Sequence, residues 1–574
     1  MTEKNPPLAA ICWTTTAILG GFMCFTQADM MLCMLMGRAG IAWAAPVGLA
    51  LALIIGDRAG RRMGLARRQR IWPPVLALGV LGLGLAFSAY YFDFSWDGQW
   101  YHQTAIYALA NDWNPLTDPL RAFPDPPRAE LWVRHYPKGP WYVAAAIFDT
   151  THQVELGKCI NVISWAAMAL ATFAAALDYG LRRSRAAAIA IVVSLNPVVM
   201  SEITTFLIDG IMMSFLTVVI AAIFSSFRKP RPVVILVGLL AAIVCINAKF
   251  TGLAFLCMIF AAGGLWCMLR ARRWLLPYCG LALLAIFLGA AVFGYNPYVT
   301  NTIYRHNPFY PLSDSKAFPA PSDENARGID HGETPKNFLP HNRFVRLFLS
   351  VFGRPGNQPY HQQRNSQLMW PFAARWADLF YYRYHETRVA GFGPWFSGAL
   401  LLSLGLSTWI LLKRTSARAV MILVAITIVA SLVTSPYFWW ARYGPQLWLL
   451  PIVPAVFIFW APPSRWALNT AWILVALLTV NAGIVAAVRM KWETNASQTL
   501  RQQLTEFRQS DRQLLIYFPR FSVSGEGRLK AWGISYKIDR KQVGTGPKLM
   551  SVVEDYPLPT RYRLVPKAVT SPVK

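Results

Sequence analysis

Charge is in short supply. Only 14% of the 574 residues are Asp, Glu, Lys or Arg and 55% are hydrophobic, whereas a soluble domain carries about a quarter charged residues. A soluble globular fold is excluded and a membrane chain implied. Acids are scarcer still, 28 against 55 basic residues for a net charge of +27. Elsewhere such a surplus would fit nucleic acid. Here many of the basic residues fall in short gaps between apolar runs, so the charge encodes membrane topology and no nucleic-acid partner is expected. Cysteine is missing from the long polar stretches and from the C-terminal tail: Cys12, Cys24, Cys33, Cys159, Cys245, Cys257, Cys267 and Cys279 all lie in or beside apolar runs. No disulfide framework or zinc site is indicated. The first apolar run lacks a clear small-residue cleavage site and further spans follow it, so it is expected to stay attached.

What is present is a repeating pattern of runs long enough to cross about 30 Å of hydrocarbon. They fall near 8–28, 39–56 and 71–91, then 158–178, 186–203, 207–227, 233–248, 251–269 and 275–295, and last 391–412, 419–436, 445–461 and 466–488, about thirteen spans in all. Arg58, Arg61, Arg62, Arg67, Arg68 and Arg70 crowd the second gap and place it in the cytoplasm. Later clusters (Arg182, Arg183 and Arg185; Arg228, Lys229 and Arg231; Arg270, Arg272 and Arg273; Lys413, Arg414 and Arg418; Arg465) fall at the alternate turns that parity assigns to the same side. The N-terminus is then cytoplasmic and the C-terminus external. The fold class expected is an α-helical polytopic membrane protein with a small external C-terminal α/β domain. Residues 1–70 form a two-helix extension, 71–488 a membrane domain with external loops at 92–157 and 296–390, and 489–574 a soluble tail. In the tail, Ser497 to Gln509 reads as helix, and 514–518 and 531–538 as strands. Asn495-Ala-Ser497 fits a glycosylation acceptor, a common pattern.

The external loops hold all eight histidines and most residues suited to chemistry. Asp93 and Asp97 are four apart, so a helix would set both carboxylates on one face. Such a pair can raise one another's pKa or share a divalent cation such as Mg2+ or Mn2+, and either arrangement suits general-base activation of a hydroxyl. Two solvated loop acids is the bland alternative. The aromatic neighbours Trp96, Trp100 and Tyr101 favour the first reading, because they resemble a sugar-stacking surface. His135 and Lys138 return the loop to the membrane, where a lysine can pair with a lipid phosphate or serve as an interfacial anchor. Glu202 and Asp209 lie at the hydrocarbon edge, where an ionisable group is functional or paired. Lys249 falls under the same rule, and an ion pair with Asp209 or Glu202 is its structural alternative. Arg305, His306 and Arg442 sit at external span ends, and arginine matches phosphate oxygens with a bidentate fork.

In order along the chain, WDGQWYH (96–102), HYPKGPW (135–141), FLIDG (206–210), AKFTG (248–252), HNPFYPL (306–312) and ARYGP (441–445) resemble the GT-C superfamily, over most of residues 71–460. These polytopic glycosyltransferases take a sugar from a polyprenyl-phosphate donor on the external face of the membrane. The resemblance implies a bacterial inner-membrane enzyme of cell-envelope polysaccharide biosynthesis. It makes Asp97 first and Asp93 second the base or metal ligand. Arg305, His306 and Arg442, with Lys138 and Lys249, would hold the donor phosphate, and Trp96, Trp100, His102 and Asp209 would line the acceptor and sugar site. The acceptor would be a glycan, lipid or protein hydroxyl, and transfer would invert the anomeric centre. The Asp-Glu pair of some subfamilies is replaced here by two acids separated by Phe94-Ser95-Trp96, two spans precede the usual first one, and the tail matches no known part. A ligase or polymerase of lipid-linked glycans shares these features. A lipid-linked sugar flippase or transporter is the other alternative; against it stand the lack of an inverted repeat and the crowding of polar residues at one face.

Overall fold

The computed structural model describes residues 6–38, 40–111, 113–121, 127–313, 334–356, 366–413, 418–461, 464–550 and 559–566; Arg414 and parts of the second long loop lie outside them. Among the described residues, nine helices are long and apolar enough to cross a membrane, each matching an expected span. Three further expected spans form apolar but shorter helices, Pro232–Ala248, Arg418–Val433 and Pro445–Trp460. The run at 186–203 departs from a continuous span. It divides into helices Arg183–Ser194 and Pro197–Glu202, because Pro197 cannot continue the hydrogen-bond ladder and the Asn196 side chain instead caps Val198 N at 3.0 Å.

Burial separates the helices into inner and outer ones. In its most apolar stretch Pro7–Leu35 has 83% of its residues buried and Arg272–Val292 only 11%, and the latter displays Leu276, Leu283 and Phe287 outward, as a helix facing lipid would. The first helix is therefore central, packed on Ala44–Arg62, Cys159–Asp178 and Pro232–Ala248. Lipid offers no hydrophobic force between helices, so close approach depends on small residues. At Gly48 a Cβ would come within 2.6 Å of Thr26 N.

The longest helix, Arg465–Gln509, runs without a break from the last span into the tail, so the expected boundary at 488 falls inside one helix. Beyond it lies a small three-stranded sheet, β1 (Gln513–Tyr517), β2 (Tyr536–Ile538) and β3 (Arg561–Val565). Its order is β2-β1-β3, with β1–β2 parallel through Leu514 opposite Tyr536 and β1–β3 antiparallel through Leu515 opposite Arg563. The strand expected over 531–538 is shorter than its pattern. Helix Ser522–Ala531 takes its first residue and is closed just past its end by Gly533, whose φ of +66° allows the bond from Ile534 N to Leu529 O at 2.9 Å. Asn495 and Ser497 are helical, and the Ser497 hydroxyl accepts from Phe92 N at 3.1 Å.

Candidate functional site

The segment after the third span is extended, and its side chains alternate as a strand's do. Phe92 and Phe94 enter the apolar core of the C-terminal domain, with Leu500, Leu504, Ile516 and Leu529. Asp93 turns the opposite way: Oδ1 accepts from Ser95 N and Ser95 Oγ, each at 2.7 Å, and Oδ2 from Phe206 N at 2.9 Å. Asp93 thus precedes the helical turn that carries Asp97, and the shared helical face expected for the two acids is not formed. Gly98 sits so close that any Cβ would overlap the Asp93 carboxylate and Ser95 Oγ. Burial raises the Asp93 pKa to about 6, resisted by Lys158 and by the Ser95 bonds.

Asp97 points elsewhere. Its Oδ2 lies 2.5 Å from Arg442 Nη2, and the other two guanidinium nitrogens are also committed, Nε to Asp209 Oδ2 at 2.7 Å and Nη1 to Glu386. Asp209 takes Lys249 on its other oxygen, so of the two partners open to Lys249 it is Asp209 that pairs. Glu202 stands behind, accepting from Gly210 N at 2.7 Å, and Lys249 lies 4.6 Å from the Tyr443 ring centre. Two cations therefore meet three carboxylates directly, with a fourth acid alongside. Burial alone would weaken the charge on Arg442, but Glu386, Asp97 and Asp209 together hold it well above its ordinary pKa. Asp97 remains 20% exposed at its side chain, and its Oδ1 accepts no hydrogen bond among the described residues. Asp209 begins a helix that ends at Arg228, and Lys249 precedes one that ends at Arg270. The cluster and the arginine-rich turns thus mark opposite ends of the bundle.

The pair Asp93 and Asp97 does not fit a metal ion. Asp93 is turned to N–H and O–H donors, Asp97 already faces a guanidinium, and no group of three or more metal-ligating side chains occurs among the described residues.

The expected phosphate ligands divide. Lys138 is fully buried and donates to the carbonyls of Arg134 and Tyr136, both at 2.8 Å; burial lowers its pKa well below that of an ordinary lysine, so it serves the turn. Arg305 is half-buried, 5.2 Å from the Tyr310 ring centre, and His306 is exposed at φ +52°, closing the short helix Thr300–Arg305. Their turn is tied to the first loop through Asn301, which bonds His135 Nδ1 at 2.7 Å and donates to Tyr310 O at 2.9 Å. It reaches the cluster through Phe309, 5.9 Å from Phe250, the residue after Lys249.

The expected sugar-binding residues are largely committed. Trp96 packs edge-on to Phe521 at 4.9 Å and lies 5.0 Å from Arg520. Trp100 is half-buried beside Tyr101. His102 is fully buried, its Nδ1 accepting from Trp141 Nε1 at 2.6 Å; burial lowers its pKa to about 3 and keeps it neutral. Sequence reasoning missed Glu386, whose signal was an acid, rare in this chain, at the end of the second long polar loop. The chain matches no protein-family model, no curated protein and no solved structure.

Proposed function

We propose that the protein is a membrane glycosyltransferase that moves a sugar from a polyprenyl-phosphate donor to an acceptor hydroxyl with inversion. The reading rests on one observation: Asp97, Asp209, Lys249, Glu386 and Arg442, from five separate segments, converge at one end of the helix bundle. Asp97 Oδ1 takes the proton of the acceptor hydroxyl as its oxygen bonds the anomeric carbon. The bond from that carbon to the phosphate oxygen breaks, and its electron pair leaves with polyprenyl phosphate. Negative charge grows on the leaving phosphate, where preorganised cations act most strongly. Arg442 supplies that help by exchanging one carboxylate, Glu386, for a phosphate oxygen, with Arg305 and His306 approaching from the neighbouring turn. The acceptor is a glycan, lipid or protein of the cell envelope, and the membrane is the bacterial inner membrane with the cluster on its external side.

Incubating the purified protein with labelled polyprenyl-phosphate sugars and envelope acceptors tests this. Release of polyprenyl phosphate with the label on the acceptor supports transfer, and release of polyprenyl diphosphate points to a glycan ligase. The buried Lys249–Asp209–Arg442 network is also what an ion-coupled transporter would carry; movement of the label across a vesicle with no bond broken would establish that reading instead.

A further inference from the structure

We infer that Arg528, in the C-terminal domain, is the positioning residue of the candidate site, setting the segment that presents Asp97. The inference rests on the proposed transfer for its kinetic consequence but not for its geometry.

Arg528 leaves its own domain and ends among three groups of the membrane domain. Nε donates to Glu155 Oε1 at 2.9 Å, Nη1 to Gln99 Oε1 at 2.9 Å and Nη2 to the carbonyl of Asp93 at 2.6 Å. Glu155 is itself fixed, by Lys158 Nζ at 2.7 Å and by Asp93 N at 3.1 Å. Lys158 closes the ring by donating to Tyr91 O at 2.5 Å. The backbone at Asp93 is therefore held at both its N–H and its C=O, and the side chain two residues past Asp97 is held at Gln99. On the near side of Asp97, Trp96 rests on Phe521 and Arg520 of the same domain. The helix bearing Arg528 approaches so closely that a Cβ at Gly527 would overlap the Tyr107 hydroxyl.

Contact alone does not call for a charge here. The interface already has Phe92 and Phe94 in an apolar core, and a leucine would fill the space of a buried arginine without the cost of desolvating it. What the guanidinium adds is direction: three donors in a rigid plane fix the three acceptors relative to each other, and a catalytic group held to a fraction of an ångström depends on such ties. The tail thus supplies part of the scaffold of the site.

The test uses the full-length protein with Arg528→Met and Arg528→Lys. Hydrogen exchange of the 91–102 peptide needs no substrate. In Arg528→Met it should rise about tenfold, with peptides across Arg418–Trp460 unchanged, as for a local opening, and Arg528→Lys should fall between. With a donor that the wild type turns over, kcat of Arg528→Met should fall about 30-fold or more while KM for the donor stays within about threefold, the signature of lost orientation. Unchanged exchange at 91–102, exchange rising uniformly across the chain, or kcat unaffected by a loosened loop would each overturn the proposal. If the wild type transfers no sugar, the proposed function fails, and the exchange result alone decides whether Arg528 holds the loop.

Discussion

Asp97 and Asp93 differ by their partners. One carboxylate faces a guanidinium with its other oxygen unbonded among the described residues; the other is spent on two backbone amides and a hydroxyl. Asp97→Asn preserves a contact to Arg442 but cannot take a proton, so transfer should fall about 10²–10⁴-fold while equilibrium binding of the donor holds; a variant with wild-type turnover would remove Asp97 from the mechanism. His102 makes a prediction about acid. Its pKa is ordinarily near 6.5 and is depressed to about 3 by burial in the fold. The stability it contributes is therefore complete above pH 6.5 and drains away as pH falls toward 3, because the unfolded chain takes up the proton and the folded one does not. At pH 5 the loss is about 2 kcal/mol. His102→Gln should accordingly show a smaller drop in thermal midpoint between pH 7 and pH 5 than the wild type, and equal drops would place the acid sensitivity elsewhere.

The helices were legible in the sequence to the extent that their causes are local. An apolar run and the arginines that follow it lie within one stretch of chain, and among the described residues nine such runs became helices long enough to span a membrane. Pro197 was equally visible, yet its effect on the run around it depended on whether a cap was at hand, and Asn196 provides one. The site was legible residue by residue but not as an arrangement. Arg442 and Asp97 are 345 positions apart, and nothing in either motif says that a cation read as a phosphate clamp would be met by three carboxylates. Trp96, exposed in pattern and aromatic in kind, gave no hint that the tail would cover it. Helix pairing follows its own rule. Where Ile41–Arg62 crosses Pro7–Leu35, Gly48 admits the Thr26 backbone, and Gly48→Val should separate the two helices at a cost of about 1–3 kcal/mol, read as a lower thermal midpoint in detergent.

At the scale of the molecule, the long helix Arg465–Gln509 is the tie between membrane and tail. Midway along it Arg489 and Glu493 are fully buried. Glu493 accepts from Thr204 Oγ1 at 2.7 Å and bonds His385 Nε2 at 2.9 Å, while Arg489 meets Glu493 and the Arg383 carbonyl. One helix thus joins the 201–210 turn to the end of the second long polar loop. Arg489→Met should cost about 3–5 kcal/mol by stranding a buried acid, and adding Glu493→Leu should recover much of it; equal losses in the single and double variants would show that the pair is not coupled. The placement of Phe92 and Phe94 inside the tail's core has a consequence in time. Phe92 N finds its acceptor 405 residues later in the chain, and at ordinary rates of synthesis that gap is roughly 20–80 s. Throughout that interval the tail core that takes up these two aromatic side chains has not been made. The candidate site takes its final form only after the last domain has been made.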